Sequence, residues 1–158
     1  MMKYEITRKQ ISPQPVLVIQ RRVQRSGIAG FLGEAFQKVF QFAGKNGITV
    51  VGPPLARYSE MSGDALTIEA GVPVASTPDN LPADSEIRRD TLPGGPAAFT
   101  VHMGPYEKLP DAMAAVDAWI KQQKLAPGGA PWESYVTDPG NLPDPKDWKT
   151  EVFCPLAS

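Results

Sequence analysis

The segment Gly52-Pro53-Pro54-Leu55-Ala56-Arg57-Tyr58 returns in altered form as Gly129-Ala130-Pro131-Trp132-Glu133-Ser134-Tyr135. That interval of 77 positions (52 to 129) constrains the fold more than any other feature of the chain. At the same interval Leu32, Ala35, Phe36, Val39, Phe42, Ala43 and Ile48 fall on Leu109, Ala112, Met113, Val116, Trp119, Ile120 and Leu125. Apolar meets apolar at the three- and four-residue spacing of a helical face. Slightly different offsets, as loop insertions would give, place Pro15-Val16-Leu17-Val18-Ile19 on Pro96-Ala97-Ala98-Phe99-Thr100, and Ile68 to Val74 on Thr150 to Leu156. Each half therefore reads as strand, helix, strand, strand. The halves differ where the second has Trp132-Glu133 and the first Leu55-Ala56, and this break in the symmetry is the first place to look for function.

Local signals fill in the elements. Val and Ile dominate from Ile11 to Val23 behind Pro13 and Pro15, which suits a strand begun beyond its prolines. From Gly30 to Lys45 the spacing turns helical, and Asn46-Gly47 supplies a left-handed cap. Ile48 to Val51, Leu55 to Met61 and Ala65 to Val74, separated by turn residues, predict a hairpin after the helix. Between Pro73 and Pro96 the breakers Pro78, Asp79-Asn80, Pro82, Pro93 and Gly94-Gly95 place a link between repeats, with short strand pieces surviving around Ile87. The second strand, Ala97 to Met103, runs into a helix that continues to about Lys124 with Pro110 in its first turn. Trp148 to Leu156 closes the chain as a strand after the loop 139–145. The expected fold is α+β: repeat 1 at about 4–75, a linker at about 76–95 and repeat 2 at about 96–158 form one domain. Their strands join in one antiparallel-rich sheet, with two main helices on one face and a ligand cleft where the units meet.

Composition narrows the function. With 42% apolar and 21% charged residues in 158, the chain can build a substantial core. Its first residues lack the apolar stretch of a signal peptide and no window reaches the roughly 20 apolar residues of a membrane helix, so a cytoplasmic location is expected. Cys154, the lone cysteine, has no intrachain disulfide partner and agrees. A net charge of −1 and scattered basic residues argue against direct nucleic-acid binding, and nothing indicates a membrane partner. His102 is the only histidine, which excludes a cluster of histidine metal ligands, and it reads as a plain strand residue rather than a catalytic one. No cofactor is indicated.

A family likeness then emerges. Gly104-Pro105-Tyr106-Glu107-Lys108-Leu109, Trp119-Ile120, Pro131-Trp132-Glu133-Ser134-Tyr135 followed by Asp138-Pro139, and Trp148-Lys149-Thr150-Glu151-Val152 to Pro155-Leu156 resemble the signature of the GyrI-like small-molecule-binding domains. The likeness runs from about Tyr4 to Leu156. That family includes the effector-binding domains of AraC-type and MerR-type multidrug regulators, and the resemblance implies a tandem pair of strand-helix-strand-strand units. It also implies an aromatic-lined cavity between them and one buried glutamate from the second unit, matched here by Glu133. Some stand-alone members act as hydrolases that open the cyclopropane of DNA-alkylating compounds, and a gyrase inhibitor is a further kind of member. This chain carries no helix-turn-helix segment, so the expectation is a stand-alone binding module.

On a strand, Glu133 and Tyr135 point one way and Trp132 and Ser134 the other. Tyr58 is expected to approach from the matching position of the first repeat, with Tyr106 and Phe99 or Val101 as further lining. Tyrosine rings and a carboxylate suit a flat lipophilic cation, by cation-π contact and by charge compensation away from water. A strained electrophile would use Glu133 differently, as a base that activates water, which makes a cofactor-independent hydrolase the alternative. Trp132 is expected in the core, and Met61, Met103 and Met113 as gap-fillers. The expected partner is a hydrophobic or cationic small molecule; a separate regulator or a second copy of the chain is left open.

Overall fold

The computed structural model describes residues 4–77, 81, 86–137 and 142–157, with backbone alone at 60–62. The Met61 side chain, Asp79-Asn80 and Asp138-Pro139 therefore lie outside the described residues. The class is α+β, as expected, and the strands pair antiparallel. They are β1 (Thr7–Ile11), β2 (Gln14–Gln24), β3 (Leu55–Ser62), β4 (Ala65–Pro73), β5 (Ile87–Leu92), β6 (Gly95–Met103), β7 (Trp132–Tyr135) and β8 (Lys149–Pro155). Among the described residues the α-helices are α1 (Ile28–Lys45) and α2 (Leu109–Gln122).

The chain forms two compact units. One is Pro13–Leu92; the other joins Met1–Ser12 to Pro93–Ser158. In the first, the strands run in the order β5, β2, β4, β3, and α1 packs on β2 and β4 through Phe31, Ala35, Val39 and Ala43. That four-residue rhythm gives α1 one buried stripe, set against Leu17, Ile19, Ile68, Ala70 and Val72. Gly47 at φ +64° ends the helix where Asn46-Gly47 signalled a cap. On the opposite sheet face Arg57 forms a bidentate pair with Glu69 and also reaches Asp90.

In the second unit the order is β1, β6, β8, β7, and α2 packs on β6 and β8 through Leu109, Ala112, Val116 and Ile120. Pro110 sits in its first turn, where a missing N–H removes no intrahelical bond.

Two boundaries differ from the sequence expectation. The residues before Pro13 belong with the C-terminal half, because Thr7–Ile11 pairs along β6. The stretch read as linker holds the strand piece expected around Ile87 as the full strand β5, which pairs along β2 from Gln14↔Leu92 to Ile19↔Ile87. Both are edge strands rich in charge (Arg8, Lys9, Arg88, Arg89, Asp90), and a charged edge strand discourages pairing with another chain while showing little apolar alternation. Ile48 to Val51 is not a strand; one bridge, Val50↔Val74, is all it contributes.

Candidate functional site

The register of β6, β8 and β7 sorts the side chains of the second unit onto two faces. Thr100, Val152 and Glu133 lie in one row, and His102, Thr150 and Tyr135 in the next. This is the buried face, on the side of α2: Cys154, two residues along β8, has its thiol pushed up to about 11 by burial and then by Asp117 of that helix. Among the described residues, the buried polar or charged ones are Thr100, His102, Glu133 and Thr150, and all four stand in these two rows. An unpaired buried polar group costs stability, so such a cluster needs a reason.

Glu133 is 3% exposed and Tyr135 7%. The Tyr135 hydroxyl donates to Glu133 Oε1 at 2.8 Å, so the two share a face of β7 as strand alternation requires. Tyr106 arrives from the turn ahead of α2. Gly104, at φ +134°, reverses the chain after β6, and its N–H donates to the Trp148 carbonyl at 2.9 Å. Few residues other than glycine accept that backbone angle. The turn brings the Tyr106 ring edge-on to Tyr135, with centroids 5.4 Å apart, and against Trp148 at 4.9 Å. Trp148 is itself fixed by its indole N–H, which donates to the Leu142 carbonyl at 2.8 Å. A carboxyl group thus stands beside a phenol, an edge-packed second phenol and an indole, the ring set that favours contact with a cation.

His102 is fully buried and satisfied. The Pro105 carbonyl can only accept, so His102 Nε2 carries the proton and donates to it at 3.0 Å, leaving Nδ1 to accept from the Tyr4 hydroxyl at 2.8 Å. Burial, and then the charge of Asp111, raises the Tyr4 phenol above its ordinary value. Thr100 donates to the Glu5 carbonyl at 2.9 Å.

Not all the expected lining residues meet. Phe99 stands in the row Phe99, Phe153, Trp132, on the opposite face of the sheet from Glu133, because adjacent residues of a strand point to opposite sides. There it packs on Phe153, with centroids 5.0 Å apart, and lies 4.0 Å beneath the Lys9 ammonium. Val101 shares that face and Met103 is exposed on it. Trp132 is buried, stacked on Phe153 at 5.3 Å, as a core residue. Tyr58 belongs to the other unit, half-buried on β3 and paired with Ile68 on the face that packs α1. Thr100, His102 and Thr150 were missed as companions of Glu133. Their signal was polar residues recurring at every second position on β6 and β8, yet a threonine or histidine in a strand is unremarkable until register shows which face it takes. Among the described residues no group of three His, Cys, Asp or Glu side chains could hold a metal ion, and no helix is long and apolar enough to cross a membrane.

Comparison with solved structures places this fold among known ones. The C-terminal domain of EcmrR superposes with a TM-score of 0.85 at 22% identity, covering 99% of each chain. EcmrR in its DNA complex gives 0.84 at 22% identity, where this chain is covered in full but spans only 59% of the other. SAV2435, solved bound to tetraphenylphosphonium, gives 0.61 at 16% identity over 99% of this chain and 95% of that one. At these identities the likeness establishes the fold. No curated protein matches the sequence. The family model for the GyrI-like small molecule binding domain matches residues 2–157, and the chain belongs to that family.

Proposed function

We propose that the chain binds lipophilic aromatic cations, with Glu133 as counter-charge and Tyr135 and Tyr106 as the rings that receive the ligand. The observation that carries this reading is a carboxyl group, on a residue only 3% exposed, that accepts the Tyr135 hydroxyl at 2.8 Å, with the Tyr106 ring packed against that same tyrosine. A carboxyl group held away from water gives an organic cation of matching shape a counter-charge in a low-dielectric setting. Tyr106 and Tyr135 meet edge to face, and the faces of tyrosine rings attract cations. The small-molecule role is the family's, and SAV2435 offers a related fold with such a cation bound. The capture of drug-like cations in the cytoplasm, by sequestration or by signalling to a partner protein, is the role this site would serve.

Trp148 touches Tyr106, so intrinsic fluorescence should respond to an occupied site. Titration with planar cationic dyes and neutral counterparts, on wild type and Glu133→Gln, tests the proposal. Saturable quenching by cations, at least about tenfold weaker in the variant, is expected, in line with the loss on truncating one partner of a buried charge pair. Quenching indifferent to ligand charge and to the substitution would rule it out.

A further inference from the structure

We infer that Thr150 supplies this site with a second polar contact, so that its preferred ligand is an organic cation that also carries a hydrogen-bonding oxygen or amide. The inference rests on the small-molecule reading above and deepens it. Thr150 is completely buried, and its Oγ1 is the one buried side-chain polar atom among the described residues with no hydrogen-bond partner. The other members of the buried polar rows are engaged: Thr100 with the Glu5 carbonyl, His102 through both ring nitrogens, and Glu133 with Tyr135. A structural role for the hydroxyl is hard to find, because valine has the same shape and serves at Val152 on the same face of the same strand. A buried hydroxyl without a partner costs stability, and a hydrogen-bonding group from outside the chain would recover that cost.

Position supplies the rest. Thr150 is the register partner of both Tyr135 and His102, on the face that carries Glu133. Glu133 pairs with Val152, which makes Thr150 its diagonal neighbour, at a separation on the order of 7–8 Å in an antiparallel pair. A ligand whose cationic centre meets Glu133 could therefore hold a hydrogen-bonding group against Thr150 if the two are separated by about one aromatic ring. Neither nitrogen of His102 is open to substitute for Thr150, since one donates to a carbonyl and the other accepts a phenol proton.

The test compares tetraphenylphosphonium, which has no hydrogen-bonding atom, with its analogue bearing a para-carboxamide on one ring. Affinities are measured by fluorescence titration on wild type, Thr150→Val, Thr150→Ser and Glu133→Gln. In wild type the carboxamide probe should bind roughly three- to tenfold more tightly, the worth of one net hydrogen bond. Thr150→Val should erase that advantage while leaving tetraphenylphosphonium unchanged, and Thr150→Ser should restore it. The valine variant should also unfold at equal or higher denaturant concentration, since it removes an unsatisfied hydroxyl. If Thr150→Val keeps the carboxamide advantage, or weakens both probes equally, the hydroxyl is a water site or a packing defect and the inference fails. Equal affinity of the two probes for wild type overturns it as well. Failure of the underlying reading looks different: tetraphenylphosphonium would then bind wild type and Glu133→Gln alike, or bind neither, and the inference would fall with it.

Discussion

The Tyr135 hydroxyl donates to Glu133 Oε1 over 2.8 Å from two residues along the same four-residue strand, so the phenol occupies part of the carboxyl group that a ligand would need. Sequence neighbours on one face of β7 hold the site closed on itself: both are more than nine-tenths buried. A cation entering here competes with, or joins, an existing hydrogen bond.

Tyr135→Phe keeps the ring and removes the donor. The folded protein should lose about 1–3 kcal/mol, the cost of taking a partner from a buried polar group. Cation affinity should hold or rise, because the ring face remains and the competing donor is gone. Urea unfolding and dye titration on the same variant give both numbers. A large fall in cation affinity would mean that the hydroxyl itself contacts the ligand.

Gly104 carries Tyr106 to its place. With φ at +134° it occupies a region that residues with a Cβ rarely adopt, so Gly104→Ala should destabilise the protein by about 1–3 kcal/mol. Ligand affinity should fall with it, as the Tyr106 ring loses its fixed approach to Tyr135 and Trp148. Denaturant unfolding and dye titration of the folded variant separate the two effects.

Cys154 should be chemically quiet. Burial first, and the nearby Asp117 second, push its thiol from 9.0 up to about 11, so alkylation at pH 8 should be slow in the native protein and fast in denaturant. The linkage has a definite sign. Between pH 9 and 11 the native state keeps a proton that the unfolded chain has released, so this contribution to stability is fully present below pH 9 and is lost as pH rises toward 11. A Cys154→Ala variant should show a shallower decline in stability across that window in urea unfolding at stepped pH.

Much of this was legible from residue patterns alone. The apolar spacing around Ala35, Val39 and Ala43, repeated at Ala112, Val116 and Ile120, drew both helices because burial on one stripe leaves a period in the sequence. Alternation on β7 was enough to set Glu133 and Tyr135 on one face. What could not be read was pairing between strands distant in sequence. Phe99 reads from its strand as a neighbour of the site, and its register with Phe153 and Trp132 sets it on the other face; a change of one residue decides that, and no local signal fixes it. The same limit hid Thr100, His102 and Thr150. Thr7–Ile11 was missed for another reason: TRKQI lacks alternating apolar residues, and its strand exists because β6 offers an edge to pair with.

In the proposed role, Glu133 makes this site select positive charge. Tetraphenylphosphonium and tetraphenylborate have nearly the same shape and opposite charge, so the ratio of their affinities isolates the electrostatic contribution. Wild type should favour the phosphonium, and Glu133→Gln should reduce that preference by at least about tenfold with little change in borate binding beyond the relief of repulsion. An unchanged ratio in the variant would rule out Glu133 as the counter-charge and leave it as a buried polar residue of the core.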